Sequence, residues 1–151
     1  MQFKLSNYSG STVRVQLLRD EPLTKYDYQI NNAADVDRLV GDELRQQDRE
    51  HLLVIYLNSR RKVIDIEIAA IGTLTEMFAA PREVFKGAIL ANAYEIVLVH
   101  NHPSGDVAPS PADERITLEL MDTGRTLKIP LRDHVIIGDD GYFSFYETAN
   151  S

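Results

Sequence analysis

Two histidines and an aspartate within one short stretch have the types and spacing to bind a metal ion. In VHNHPSGDVAPSPAD, His100 and His102 stand one residue apart at the end of an apolar run, and Asp113 follows Ser110. Alternate residues of a strand point to the same face, so both imidazoles share a face if the strand continues. We expect Asp113 in the first turn of the next helix, directed back toward the strand end. Two imidazoles and one carboxylate suit Zn²⁺ and leave a fourth position for water.

The same residues also have a purely structural interpretation. Ser110-x-x-Asp113 before an apolar helix is typical of a capping box, and Pro111 occupies the favoured first helical position. The two interpretations are compatible, because a cap that fixes the helix start also fixes the carboxylate. Spacing alone leaves both open, while the position of the histidines at a strand end favours the metal site.

The elements that must position these residues form an alternating pattern. Apolar and β-branched runs predict strands at residues 11–20, 51–58, 63–72, 94–102 and, as a hairpin, 133–147, with 24–30 as a further extended segment. Helical periodicity predicts helices at residues 31–50 behind an Asn32 cap, at 80–93, and at 110–127 with Gly124 as the C-cap. This order predicts a single α/β domain, a mixed sheet flanked by helices.

Composition limits the chemistry and the partners. The chain has 151 residues and no cysteine, which excludes disulfides, thiolate metal sites and a cysteine nucleophile. A formal net charge of −7 argues against tight non-specific binding to DNA. The apolar runs are too short to span a bilayer, and the N-terminus does not resemble a signal peptide. We therefore expect a soluble, cytoplasmic protein with no membrane partner; its oligomeric state is open.

The longer pattern resembles a known family. His100-x-His102, seven residues, and then Ser110-x-x-Asp113, together with Gly72-Thr73, PREVFKGAI and DHVIIG, resemble the RadC-like branch of the JAMM (MPN+ or JAB) metallohydrolases. The resemblance implies a JAMM/MPN-like, cytidine-deaminase-like fold over residues 33–151. Residues 1–32 are then an N-terminal extension, predicted as a strand joined to the domain. The helix-hairpin-helix region of full RadC proteins has no counterpart in this sequence.

The resemblance also implies a role for each site residue. His100, His102 and Asp113 would be the zinc ligands, and Ser110 would donate a hydrogen bond to the oxyanion of a tetrahedral intermediate. Glu50, at the start of the strand after the first helix, would act as general base on the zinc-bound water. Residue type alone leaves rivals for that base: Glu67, Glu76, Glu83 and Glu95.

Neighbouring polar residues receive supporting roles. Asp133 and His134 match the family's Asp-His pair and are expected to act through packing or hydrogen bonds rather than as ligands. Asn101 should point to the opposite face from the histidines and hold the backbone of the loop.

The resulting functional hypothesis is a zinc-dependent hydrolase, a metallopeptidase or isopeptidase whose Glu50 activates the zinc-bound water. The alternative is a DNA-repair-associated accessory or DNA-processing protein of the RadC type without peptidase activity. A zinc nucleoside deaminase shares the α/β layering but needs cysteine ligands, which this chain lacks. A protein-interaction domain with an unused metal site also stays open.

Overall fold

The structure is a computed structural model that describes Val15 and residues 27–72 and 80–151. The strand predicted at residues 11–20 lies, apart from Val15, outside the described residues, as do Thr73, Glu76 and most of the predicted N-terminal extension. Of the extended segment predicted at 24–30, the described part forms one isolated antiparallel bridge, between Gln29 and Lys62. The division of the chain at residue 32 stays a prediction.

A five-stranded mixed sheet forms the centre of the described chain. Its strands are β1 (His51–Leu57), β2 (Val63–Ile71), β3 (Glu95–Asn101), β4 (Leu131–Gly138) and β5 (Gly141–Ser144), in the spatial order β2-β1-β3-β4-β5. Neighbours pair antiparallel except β3 and β4, which pair parallel. The parallel pair is possible because a long helix connects these two strands.

Helices cover both faces of the sheet. They are α1 (Ala33–Val36), which continues through π-helical turns at Asp37–Gly41 into α2 (Asp42–Arg45), then α3 (Pro81–Leu90), α4 (Pro111–Leu127) and α5 (Phe145–Ala149). The predicted Asn32 cap is confirmed: its side chain accepts a hydrogen bond from the Asp35 backbone N–H.

Strand alternation divides the core into two apolar clusters. In β1, Leu53, Ile55 and Leu57 pack with the apolar residues of α1 and α2, whereas Leu52 and Val54 belong to the cluster that contains residues of α3 and α4. The sheet is therefore the middle of three layers, which confirms the predicted α/β class. Since β3 alternates in the same way, His100 shares its face with Ile96 and Leu98, on the side of α3 and α4.

Two local predictions are wrong. Gly124 does not end α4; the helix continues to Leu127, and Lys128 supplies the left-handed cap at φ 60°. A Cβ at Gly124 would lie 2.5 Å from the Ile129 carbonyl oxygen, so the glycine allows a close backbone approach. The end of the predicted hairpin is helical from Phe145, because the Ser144 side chain caps the Glu147 N–H. Within the described part of the chain, no helix combines the length and apolar composition needed to cross a bilayer.

Candidate metal centre

The two histidines lie where β3 leaves the sheet. His100 is the second-last residue of β3 and is buried, and His102 lies one residue beyond the strand. The His102 N–H donates to the Ile137 carbonyl oxygen at 2.9 Å, which extends the parallel pairing with β4. The extended backbone therefore directs both imidazoles to one side, with ring centroids 4.8 Å apart.

A glycine turn then reverses the chain toward α4. Gly105 adopts φ 84°, a conformation that favours glycine, and its N–H donates to the His102 carbonyl oxygen at 2.9 Å. A Cβ at Gly105 would lie 2.3 Å from an Asp139 carboxylate oxygen, so a larger residue could not fit without movement. The turn is thereby held against the β4–β5 connection.

The start of α4 fixes the carboxylate. Ser110 is the N-cap, and its Oγ accepts from the Asp113 N–H at 3.1 Å. In return, Asp113 Oδ2 accepts from the Ser110 N–H at 2.7 Å, which completes a capping box. Asp113 is only 1% exposed, because the same helix turn is packed against the strand end. The structural interpretation of Asp113 is therefore correct, and it does not compete with the chemical one.

The strand end and the helix start bring three potential ligands together. His100 Nε2 lies 3.0 Å from His102 Nε2 and 3.2 Å from Asp113 Oδ1, and His102 Nε2 lies 3.3 Å from Asp113 Oδ2. In the described chain these three residues are the group whose side-chain atoms could hold one metal ion, all within 4.8 Å of one another.

This geometry fits a divalent ion of the zinc type. Tetrahedral ligands at about 2.0–2.1 Å from zinc lie about 3.3 Å from one another, close to the separations observed here. Two imidazole nitrogens and a carboxylate oxygen also match the ligand types that zinc accepts, and they are softer than the all-oxygen sets typical of Mg²⁺ or Ca²⁺.

Further polar groups contact the outer nitrogens of both rings. His102 Nδ1 lies 2.7 Å from the Asp106 carbonyl oxygen, so Nδ1 must donate, which leaves the lone pair of a neutral His102 on Nε2. His100 Nδ1 lies 2.8 Å from His134 Nε2 on β4. His134 is buried and makes the kind of hydrogen-bond contact expected of a supporting residue. Sequence reasoning missed Asp106 and also Thr117, whose Oγ1 lies 2.7 Å from His134 Nδ1, although Thr117 lies one helical turn after Asp113 and therefore shares its face.

The charge states suit a cation site. Burial of Asp113 alone favours its protonated form, but hydrogen bonding and charge attraction from His100, with hydrogen bonds from Ser110, outweigh burial and hold its pKa well below the usual range. Burial and the neighbouring His100 lower the pKa of His134. At neutral pH the Asp113 carboxyl is therefore ionised, and the His134 imidazole behind His100 is neutral.

Asn101 and the strand register position Glu50. The Asn101 side chain accepts from the His51 N–H at 2.7 Å and donates to the Arg49 carbonyl oxygen at 3.0 Å, so it holds the backbone that leads into β1 rather than the loop after His102 that was predicted. Leu52 of β1 pairs with His100, and continuing this antiparallel register by two residues sets Glu50 opposite His102. Paired residues point to the same face, so the register assigns Glu50 to the face of the two histidines.

The described rivals of Glu50 are engaged elsewhere. The Glu67 carboxylate accepts from the Tyr56 hydroxyl, and Glu83 pairs with Lys86 at 2.6 Å on an exposed helix end. Glu95 begins β3, five residues before His100, which at about 3.3 Å per residue is roughly 16 Å away. Glu76 lies outside the described residues. Glu50 therefore remains the first candidate for a general base.

Fold and site together define an α/β domain of the JAB type with a candidate metal centre at one end of its sheet. The family model described as the RadC-like JAB domain matches residues 30–150. The chain therefore belongs to the RadC-like JAB family, as the sequence motifs predicted.

Relatives with the family name UPF0758 agree with this assignment. The chain is 46% identical over 116 residues to a UPF0758 protein of Chlorobaculum parvum, a match that covers 77% of this chain and 52% of the relative. A UPF0758 protein of Rubrobacter xylanophilus is 45% identical over 118 residues, covering 78% and 52%. One from Methanococcoides burtonii is 40% identical over 134 residues, covering 89% and 57%. The chain spans about half the length of these relatives.

Proposed function

We propose that this chain is a zinc-dependent hydrolase of peptide or isopeptide bonds. The observation that supports the proposal most directly is the convergence of His100 Nε2, His102 Nε2 and the Asp113 carboxylate, with separations of 3.0–3.3 Å. These three residues would hold the ion. Zinc bound there would supply Lewis-acid chemistry and make water acidic enough to ionise near neutral pH.

Glu50 is proposed as the general base. It lies immediately before β1, the β1–β3 register continued by two residues would set it opposite His102, and the Gly72 N–H donates to its backbone carbonyl oxygen at 2.8 Å. This hydrogen bond holds the Glu50 backbone, and a carboxylate at that strand end can accept a proton from the attacking water and return it to the leaving amine. Proton transfer of this kind contributes about 10²–10⁴-fold to rate.

Ser110 is proposed to stabilise the oxyanion. Its Oγ accepts from the Asp113 N–H, so the hydroxyl hydrogen can still be donated to a substrate oxygen. The capping box holds this hydroxyl on the same helix turn as Asp113, beside the proposed ion. A preorganised donor costs little reorganisation when charge develops on the substrate.

The composition of the candidate metal centre and the net charge of the chain favour an amide substrate. A hydrolase with a single centre of two imidazoles and one carboxylate fits amide cleavage better than phosphodiester cleavage, for which carboxylate-rich two-metal sites are typical. The net charge of −7 also disfavours DNA as substrate. We propose a cytoplasmic setting, consistent with a chain that contains no cysteine.

The test compares zinc-loaded wild type, Glu50→Gln and the matched control Glu83→Gln on peptides, lysine-linked isopeptides, and single-stranded and duplex DNA. We expect wild type and Glu83→Gln to cleave at least one amide substrate equally well. Glu50→Gln should retain stoichiometric zinc and lose roughly 10²-fold or more in kcat.

Three results would count against the proposal. Wild type could bind zinc without cleaving any amide, Glu50→Gln could remain fully active, or DNA could be the sole substrate cleaved. The last result would favour the alternative of a DNA-processing protein of the RadC type.

A further inference from the structure

A short chain of buried hydrogen bonds extends behind His100. His100 Nδ1 lies 2.8 Å from His134 Nε2, and His134 Nδ1 lies 2.7 Å from Thr117 Oγ1. Thr117 Oγ1 donates to the Asp113 carbonyl oxygen at 2.6 Å. His134 is 1% and Thr117 4% exposed, so water does not compete for these contacts.

The proton positions along this series of hydrogen bonds follow from the end at the Asp113 carbonyl oxygen. The Asp113 carbonyl can only accept, so the single hydroxyl hydrogen of Thr117 is committed to it. Thr117 Oγ1 must then accept from His134 Nδ1–H. With that proton on Nδ1, a neutral His134 accepts at Nε2, and His100 donates from Nδ1. With His100 neutral, as a metal ligand must be, the lone pair of its Nε2 would face His102 and Asp113.

We infer that His134 and Thr117 are positioning residues that fix His100 in the tautomer able to bind a metal through Nε2. The inference rests on the proposed metal site and needs no particular substrate. Outer-shell groups of this kind typically change metal affinity about 10–100-fold when they are removed.

The same hydrogen bonds link Asp113 to the buried His100 imidazole. Asp113 faces the histidines with its carboxylate and anchors the hydrogen-bond chain with its backbone carbonyl oxygen. His102 depends on a loop carbonyl, whereas His100 depends on α4 through Thr117 and on β4 through His134. The start of α4 therefore sets both the carboxylate and the proton position of the buried imidazole.

The first test measures zinc affinity of the whole chain by competition with a chromophoric chelator. Thr117→Val keeps the β-branched shape and removes the hydroxyl, and we expect it to weaken zinc binding about 10-fold or more. Thr117→Ser restores the hydroxyl and should bind within about threefold of wild type. Thr123→Val is the matched control, because exposed Thr123 donates to the Glu119 carbonyl oxygen at 2.9 Å on the same helix, away from the site.

His134 receives a parallel pair of variants. His134→Leu removes the acceptor for His100 Nδ1–H and should weaken zinc binding at least as much as Thr117→Val. His134→Gln can still offer a carbonyl oxygen and should recover part of the loss. Thermal unfolding of each metal-free variant identifies any that fails to fold, in which case the Thr117 pair decides the question.

Nitrogen-15 NMR of the imidazoles supplies a readout independent of affinity and activity. Zinc-loaded wild type should show His134 protonated at Nδ1 and unprotonated at Nε2, with His100 protonated at Nδ1. Thr117→Val should lose the fixed His134 tautomer. Protonation of wild-type His134 at Nε2, or zinc affinity of folded Thr117→Val equal to that of Thr123→Val, would overturn the inference.

These outcomes are separable from those of the proposed function. A protein whose zinc affinity depends on these hydrogen bonds but that cleaves no amide would support the inference and contradict the hydrolase function. An active hydrolase whose zinc affinity does not change when Thr117 or His134 is substituted would support the function and contradict the inference.

Discussion

Two helix starts in this molecule use the same capping box but face different surroundings. At α1, Asn32 Oδ1 accepts from the Asp35 N–H at 3.0 Å, and Asp35 Oδ2 accepts from the Asn32 N–H at 3.3 Å. At α4 the corresponding distances between Ser110 and Asp113 are 3.1 and 2.7 Å. Asp35 Oδ1 pairs with the exposed Arg38 of its own helix at 2.5 Å. The Asp113 carboxylate instead meets two imidazoles from a strand.

The comparison separates what a local motif does from what its surroundings do. A capping box determines where a helix begins and how its third residue points. It does so equally at a partly buried ion pair and at a candidate metal centre. The candidate metal-binding role of Asp113 comes from β3, whose C-terminal end places His100 and His102 opposite the box.

The largest expected difference between the two boxes is in metal affinity. Asp113→Asn removes a charged ligand and should weaken zinc binding more than about 100-fold, beyond the range for outer-shell groups. Asp35→Asn makes the same chemical change in the same motif and should leave zinc affinity unchanged. Isothermal titration with zinc on both variants measures the difference, and equal affinities would show that the carboxylate at α4 is only a cap.

The sequence was informative wherever a signal is local. The caps at Asn32 and Ser110, the strand alternation and the turn after His102 all follow from neighbouring residues, and each predicts an observed element. The error at Gly124 has a physical cause: a glycine near a helix end is typical both of a C-cap and of a close backbone contact. The contact is with residues beyond the helix, which spacing does not reveal.

The part of the candidate site that lies within one short stretch of the sequence was predictable. His100, His102 and Asp113 are close in sequence, so alternation and capping sufficed to bring them together. The contact between His100 and His134 spans 34 residues and depends on the parallel pairing of β3 with β4. Helix propensity and strand patterns do not specify which strands become neighbours, so Thr117 and His134 acquire their partners only in the folded chain.

The second-largest expected effect is the rise in thermal stability when zinc binds. Zinc that binds the folded chain alone stabilises it by about 2.7 kcal/mol at a hundredfold excess over Kd. For a chain of this size, that is a rise of roughly 5–10 °C in Tm. Wild type should show this rise with zinc and little change with Mg²⁺, which prefers all-oxygen ligands. His102→Ala should show no rise, while Asn32→Ala should respond like wild type; a zinc response in folded His102→Ala would contradict the ligand assignment.

The smallest expected effect is the loss of unfolding free energy when a capping side chain is removed. Without zinc, the two helix starts should behave alike. Ser110→Ala and Asn32→Ala each remove the side-chain acceptor for an N–H in the first helical turn, which costs about 1 kcal/mol of unfolding free energy. Urea unfolding of the metal-free variants should give similar losses. With zinc present, the Ser110→Ala loss should grow, because a frayed start of α4 releases Asp113 from the histidines, whereas the Asn32→Ala loss should not. Equal losses with and without zinc would mean that the metal centre does not depend on the cap, and the proposed coupling between helix start and ligand would be wrong.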